Sequence, residues 1–284
     1  MRIDQLIQQG VAQLAALSGS NRQTETPELD VQLLLAEVLA VNTSYFYTWP
    51  EKVVSDLDKA RFERLLSERL EGKPIAYILG YQAFWSFELE VSESTLIPRP
   101  DTECLVEIAL ALIDQCQNPK VLDLGTGTGA VALAIASERA DASVTAVDLV
   151  PAAVELAQRN NLKLKLDVTI FQSSWFDNIL ENNLDLIVSN PPYIDPEDHH
   201  LDEGDVRFEP KTALIADKKG YSDIEIIARD ARQHLAQSAW LAFEHGYDQG
   251  EGARQILEKN GYQNIETRQD YGGNDRVTLG QWLK

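Results

Sequence analysis

Two short stretches carry residue types that could do chemistry. The first, Asp123-Leu124-Gly125-Thr126-Gly127-Thr128-Gly129-Ala130, follows the apolar Val121-Leu122 and precedes the helix-forming run Val131 to Ala136. Glycines where a strand gives way to a helix let a ligand approach the backbone and help the chain turn. Gly125, Gly127 and Ala130 also satisfy the dinucleotide pattern G-x-G-x-x-G/A, and Asp148 ends the next expected strand 18 residues beyond Ala130, where a carboxylate binds ribose hydroxyls. A nicotinamide cofactor and S-adenosylmethionine both fit this arrangement, because both offer a ribose diol.

The second stretch, Leu184-Asp185-Leu186-Ile187-Val188-Ser189-Asn190-Pro191-Pro192-Tyr193, reads as a buried strand that ends in two prolines. Prolines cannot continue a ladder and fix the backbone path, which turns carbonyls into a cleft at the carboxyl edge of a sheet. A planar amino or amide NH2 presents two donors, which the Asn190 side-chain oxygen and the Pro191 carbonyl can accept, with Tyr193 stacking on its flat face. Such a site suits methylation of a poor nucleophile. An amide nitrogen has its lone pair delocalised into its carbonyl, and accepting both hydrogens raises its electron density. Catalysis is then positioning plus electrostatics, with in-line displacement and no catalytic histidine. This second stretch favours S-adenosylmethionine over the nicotinamide.

The elements that must position these residues are legible in the spacing of apolar positions. After residue 98 strands alternate with helices: strands at 121–124, 144–147, 168–171, 184–188 and 240–243, helices at 131–136, 151–160, 222–236 and 249–260. That order predicts an α/β fold with a mostly parallel sheet covered by helices on both faces. Residues 264–271 and 276–283, around Gly272-Gly273-Asn274-Asp275, predict an antiparallel C-terminal pair. Residues 1–80 predict a small helical bundle. Thr26-Pro27 opens a helix with Leu29, Leu33, Leu34, Val38 and Leu39, and Ser55 opens another with Leu57, Phe62, Leu65, Leu66 and Leu70, closed by Gly72 and Pro74. Residues 81–97 form a linker or hairpin, with Phe84 to Val91 alternating as a strand does, and 98–284 form the second domain. The extended Ile97-Pro98-Arg99-Pro100 leads into it.

Composition narrows the partners. With 44% hydrophobic and 25% charged residues the 284-residue chain is expected to be globular. Its 25 Lys and Arg against 45 Asp and Glu give a net charge of -20, which disfavours a phosphate backbone as partner. Residues 1–80 hold 8 basic and 11 acidic residues and the remainder 17 and 34, so the acidity belongs to the second part. Two cysteines, Cys104 and Cys116, make neither a disulfide framework nor a four-thiolate zinc site and read as reduced thiols. The start, Met1-Arg2-Ile3-Asp4-Gln5, lacks the apolar run of a secretory signal, and no stretch predicts a transmembrane helix, so a cytoplasmic location is expected. His199 and His200 lack a Cys or carboxylate at ligand spacing, and no metal is expected.

Asn190 to Tyr193 after such a glycine loop resembles the amino methyltransferases, which modify adenine, cytosine, guanine or glutamine side chains. Further stretches narrow this: Gly80 to Trp85, Leu96 to Glu103, Val206-Arg207-Phe208-Glu209-Pro210, and Glu244-His245-Gly246-Tyr247-Asp248-Gln249-Gly250-Glu251. Together they resemble the PrmC/HemK family, which methylates the side-chain nitrogen of the glutamine in the Gly-Gly-Gln motif of peptide chain release factors. Departures are small, with Asp101 where the family often has Glu and His245 where many members have Ile.

The resemblance implies a Rossmann-like class I methyltransferase with S-adenosylmethionine as cofactor and release factors as partners. In it Gly125, Thr126, Gly127, Thr128 and Gly129 line the cofactor site with Asn190, Asp148 binds the ribose, Trp175 lies against the adenine, and Asn190, Pro191, Pro192 and Tyr193 hold the glutamine. It also implies that the helical front domain docks the substrate. Residue types alone leave Trp175 open between core and site. Arg99 and Arg207 read either as positioning groups or as structural ion pairs. The alternative activity is methylation of a nucleic-acid base, and a dehydrogenase or a non-catalytic binding module stand further off. Asp195, Glu197, Asp198, Asp202, Glu203, Asp205 and Glu209, set against Arg207, predict an acidic rim that repels nucleic acid and attracts a basic protein surface.

Overall fold

The computed structural model describes residues 1–16, 24, 26–202 and 204–283. It divides into two compact units, Met1–Tyr81 with His199–Phe208, and Gln82–Asp198 with Glu209–Lys284. No helix among the described residues is long and apolar enough to cross a membrane.

The first unit contains helices α1 (Ile3–Ala15), α2 (Pro27–Leu39), α3 (Ser44–Thr48), α4 (Asp56–Leu70) and α5 (Ile75–Leu79). Proline stands in the first turn of α2, where its missing N–H costs nothing. Ser55 caps α4 by accepting from the Asp58 backbone N–H at 3.1 Å. Val31, Leu34, Leu35, Phe62 and Leu66 meet Ile3 and Leu6 in the core. Leu29 and Leu57, expected on the apolar stripes, lie in the first turns of their helices and are exposed. The buried Arg69 organises the unit. It donates to Asp30 on α2 at 2.8 Å, to Asp205 at 2.8 Å and to the Lys73 carbonyl at 3.0 Å. A guanidinium removed from water requires such partners, so the segment 199–208 is tied to the helices by charge as well as by packing.

The second unit opens with a hairpin, β1 (Tyr81–Phe84) and β2 (Phe87–Glu90), and a 3-10 turn at Pro100–Thr102 leads into α6 (Glu103–Leu112). There follow β3 (Lys120–Leu124), α7 (Ala130–Glu138), β4 (Ser143–Asp148), α8 (Pro151–Leu164), β5 (Val168–Gln172) and β6 (Leu184–Ser189). The short turn α9 (Asp217–Gly220), α10 (Ser222–Asp230), β7 (Leu235–Glu244), α11 (Gly250–Lys259), β8 (Gln263–Gln269) and β9 (Asp275–Trp282) complete it.

The sheet order is β5-β4-β3-β6-β7-β9-β8, parallel through β7 and antiparallel at β9 and β8. This is the mostly parallel sheet with an antiparallel C-terminal end that the residue pattern predicts. One face packs on Leu105, Val131 and Leu133, the other on Ile224, Ile227 and Leu257, so the sheet is covered on both sides. Because β4 and β6 flank β3, the strand order reverses there, running outward through β4 and β5 on one side and through β6 and β7 on the other. Leu124 pairs with Val147 and with Ser189, which brings the carboxyl ends of three strands together at this switch point.

The expected helix 222–236 ends at Asp230, and β7 begins at Leu235 rather than at residue 240. A 3-10 turn intervenes, the Leu184 N–H donates to the His234 carbonyl at 2.9 Å, and Leu184 pairs with Leu235. Pairing with β6 thus takes residues that a helical apolar period would also accept.

Candidate active site

The glycine loop leaves β3 at Leu124, and the N–H groups of Gly125 and Thr126 both donate to the Val147 carbonyl at 2.9 Å. Gly125 has φ +71° and Gly129 φ +87°, a region that L side chains rarely adopt, and a Cβ on Gly129 would stand 2.9 Å from Leu133. The Thr126 hydroxyl donates to the buried Asp123 carboxylate at 2.6 Å. Burial pushes the Asp123 carboxyl up to about 7, against the Thr126 hydrogen bond. Asp148, at the end of β4, accepts from the Gly127 and Val150 N–H groups, each at 2.9 Å. Desolvation raises its carboxyl too, and these backbone donors oppose the rise.

Trp175 follows β5 in a turn closed by Ser173, whose hydroxyl donates to the Trp175 carbonyl and accepts from the Asn178 N–H, both at 3.0 Å. The indole ring lies 3.6 Å from where a Cβ on Gly125 would stand. A bare glycine backbone and an aromatic ring therefore face each other across the loop.

At the end of β6 the Ser189 hydroxyl donates to the Leu124 carbonyl at 2.8 Å, which joins the second motif to the first. The Asn190 side-chain NH2 donates to the Thr102 hydroxyl oxygen at 3.2 Å. The Tyr193 hydroxyl donates to Glu244 at 3.2 Å, at the end of β7. Burial pushes the Glu244 carboxyl up to about 7, while the Thr102 hydroxyl and the Arg276 guanidinium favour its charged form. The Tyr193 carbonyl accepts from Gln249 at 2.9 Å, and the Gln249 side-chain oxygen accepts from the Gly246 N–H at 2.8 Å. Gly220 passes so close that a Cβ there would meet the Tyr193 carbonyl oxygen at 2.0 Å. The stretch Glu244 to Glu251 thus braces the loop that follows β6.

A cavity of about 210 Å³ opens over these carboxyl ends. Of the residues singled out from sequence, Gly125, Thr126, Gly127, Thr128, Asp148, Trp175, Asn190 and Pro192 line it. Gly129, Pro191 and Tyr193 are not in its lining, although the loop carries them beside it. Arg99 lines the cavity and is paired with the buried carboxylate of Glu209, which also accepts from the Ile97 N–H at 3.2 Å. Arg207 is exposed, with its guanidinium 5.0 Å from the Phe208 ring centroid.

Sequence reading missed Thr95, Thr102, Asp123, Ser173, Thr212 and Asp223, which also line the cavity. Asp123 opens the glycine motif and its position beside Gly125 was a usable signal. Thr212 and Asp223 carry none. The expected acidic rim is thinner than the count of carboxylates suggests, since Asp205 pairs with Arg69 and Glu209 with Arg99. Glu203 lies outside the described residues, as do the side chains of Asp202 and His200. Among the described residues no three His, Cys, Asp or Glu side chains converge as a metal-binding group.

Residues 102–206 match the Methyltransferase small domain family and residues 5–80 the PrmC N-terminal domain family. The release factor glutamine methyltransferase of Aliivibrio fischeri is 52% identical, over 100% of this chain and 98% of that protein. The chain belongs to the release factor glutamine methyltransferase family. The family member from Escherichia coli is 45% identical over the whole of both chains. Among solved structures, a methyltransferase from Pyrococcus furiosus aligns with a TM-score of 0.52 over 80% of this chain and 100% of that one. At 17% identity it shows a shared fold alone. Membership in this family removes the choice between a nicotinamide and a methyl donor that the glycine loop leaves open.

Proposed function

We propose that the protein transfers a methyl group from S-adenosylmethionine to the side-chain amide nitrogen of the glutamine in the Gly-Gly-Gln motif of peptide chain release factors. The observation that carries this reading is the orientation of Asn190. Its NH2 is engaged by Thr102, so the oxygen at the other end of the amide is the free acceptor of a cavity-lining side chain.

The residues present fit the cofactor. Gly125 to Thr128 offer a backbone that a ligand can approach closely, Asp148 offers a carboxylate for a ribose diol, and Trp175 with Leu149 offers apolar surface for a purine. S-adenosylmethionine would supply an electrophilic methyl on a sulfonium: the N–C bond forms as the C–S bond breaks, the sulfur leaves as a neutral thioether, and the nitrogen gives up one proton to solvent. Asn190 accepts one hydrogen of the substrate amide and the Pro191 carbonyl the other, which orients the nitrogen and enriches it in electrons. Tyr193, held at its hydroxyl by Glu244 and at its carbonyl by Gln249, keeps that loop from relaxing. Preorganised acceptors of this kind lower the barrier without reorganising during the reaction.

In the direct test, purified protein with labelled S-adenosylmethionine and an intact release factor is expected to place one methyl on that glutamine, read by mass spectrometry of the peptide. An unmodified factor overturns the reading, and methylation of bare DNA or RNA at a comparable rate replaces it with a base methyltransferase. The net charge of -20 argues against nucleic acid as a partner. A substrate that belongs to the translation machinery supports a cytoplasmic location.

The helical unit is assigned to docking the factor. A chain that begins at Gln82 is expected to bind cofactor normally and to methylate the factor at least tenfold more slowly at low factor concentration, as loss of a modest contact surface would cause. Undiminished activity in that chain would remove the assignment.

A further inference from the structure

We propose that Arg99 is the residue of the cavity that binds the carboxylate at the methionine end of the cofactor, and that the buried Glu209 positions it there. This rests on S-adenosylmethionine as cofactor and not on which substrate receives the methyl group.

Arg99 stands between Pro98 and Pro100 with an extended backbone, φ -102° and ψ 144°. A proline after it disfavours the helical region, so the backbone that carries the side chain has little freedom. One Glu209 oxygen accepts from the Ile97 N–H at 3.2 Å, and the other accepts from Nη2 of Arg99. A single carboxylate thus fixes both the extended segment and the guanidinium two residues further on.

The two members of this pair differ in exposure. The Glu209 side chain is fully buried, whereas that of Arg99 is 36% exposed and lines the cavity. A molecule that enters the cavity therefore meets the cation and not its partner. Nη2 is the only Arg99 nitrogen with a partner among the described residues. A guanidinium carries five N–H donors in a fixed fork, so donors are left for a second carboxylate. Burying Glu209 costs desolvation, and a cation held at the cavity wall is a reason to keep it.

Charge identifies the group that Arg99 takes. Of the residues that line the cavity Arg99 alone is cationic, while Asp123, Asp148 and Asp223 are acidic. The glutamine side chain and the glycine backbone before it bring no formal charge. The cofactor's methionine end brings one carboxylate, beside an ammonium and a sulfonium. Three aspartates suit the cationic and hydroxyl groups of such a ligand and repel its one anion, which leaves the carboxylate to Arg99.

The test is calorimetry on the full chain with two probes, S-adenosylhomocysteine and its decarboxylated analogue, which differ by the carboxylate. Wild type is expected to bind S-adenosylhomocysteine at least about tenfold more tightly than the analogue, the scale of one hydrogen bond between charged groups. A wild-type ratio near one overturns the proposal without any variant. Arg99→Met is expected to lose about tenfold in affinity for S-adenosylhomocysteine and to stay within about twofold for the analogue, which also shows that the variant is folded. Arg99→Lys keeps the charge without the fork and is expected to fall between the two. Glu209→Gln is expected to lower the ratio at least about threefold with the analogue unaffected, because the arginine is no longer held by an ion pair. Equal loss of both probes in Arg99→Met and Arg99→Lys, or a ratio unchanged in Arg99→Met, overturns the binding role. A ratio unchanged in Glu209→Gln overturns the positioning role. Wild-type affinity for S-adenosylhomocysteine in Arg99→Met together with a raised KM for a release factor gives Arg99 to the protein substrate instead. Neither probe needs a methyl acceptor, so a protein that shows these ratios and methylates no factor would defeat the proposed function and leave this proposal standing.

Discussion

Asn190→Ala is expected to lower turnover about 10²- to 10³-fold while leaving cofactor affinity within about twofold, the loss typical of one preorganised group aimed at a developing charge. Asn190 sits where β6 stops, and the prolines after it prevent the ladder from continuing, so its position is set by the rigid end of a central strand. Its amide is anchored at one end by Thr102 and is free to accept at the other. Alanine removes that acceptor while the Ser189 hydroxyl still ties the strand end to Leu124. The surfaces offered to the cofactor, Gly125 to Thr128, Asp148 and Trp175, keep their own partners. The measurement is a pair: kcat with saturating factor, and cofactor affinity by calorimetry on the same preparation. Equal loss of both would show that Asn190 is chiefly a cofactor ligand.

How much of this is legible in the residues alone depends on the range over which each signal acts. The β3-loop-α7 unit is local. Apolar strand, glycines and helix follow one another within 20 residues, and each obeys its own spacing rule. The same holds for β8 and β9, whose turn is held by Asp270 accepting from the Gly272 and Asn274 N–H groups at 2.8 and 3.0 Å. The boundary between α10 and β7 was not readable, because Ala231 and Ala236 continue a helical apolar period and only the pairing of Leu184 with Leu235 decides otherwise. Exposed Leu29 and Leu57 make the same point, since an apolar residue in a first turn counts toward a periodicity without reaching the core.

The support of the site is least legible. Thr102 stands 88 residues before Asn190, and Glu244 stands 51 residues after Tyr193, yet each makes a hydrogen bond that fixes the loop. Strand order brings them together, and no spacing rule along the chain encodes it. Charge counts misled for a related reason. Asp205 and Glu209 count as free acid in a sequence, whereas Arg69 and Arg99 take them up in the fold. The carboxylates left without an arginine partner are thus fewer than the segment's composition suggests.

Asp123 supplies the second large effect, which is on stability and has an unusual sign. Its carboxyl is raised from an ordinary 3.8 to about 7 because the end of β3 is fully buried, and Asp148 adds to the rise. Between those two values the folded chain holds a proton that the unfolded chain has lost. Folding stability from this group is therefore fully present below the unfolded value and drains away as pH climbs through about 7. Most buried carboxylates in ion pairs behave the opposite way, strengthening a fold as pH rises. From pH 5, chosen to stay above the isoelectric point near 4.5, to pH 8 the loss amounts to about 2–3 kcal/mol. Glu244, also raised to about 7, contributes in the same direction, so the wild-type slope alone does not isolate Asp123. Asp123→Asn keeps an oxygen for the Thr126 hydroxyl and cannot ionise. The difference in unfolding free energy between wild type and Asp123→Asn, taken from urea titrations at several pH values, is expected to move by about 2–3 kcal/mol over this window in favour of the variant at high pH. A constant offset between the two curves shifts nothing in this argument, because the chemistry lost with the second oxygen does not depend on pH. Curves that stay parallel from pH 5 to 8 would show that Asp123 ionises normally in the folded protein, and that the loop pays no penalty for burying it.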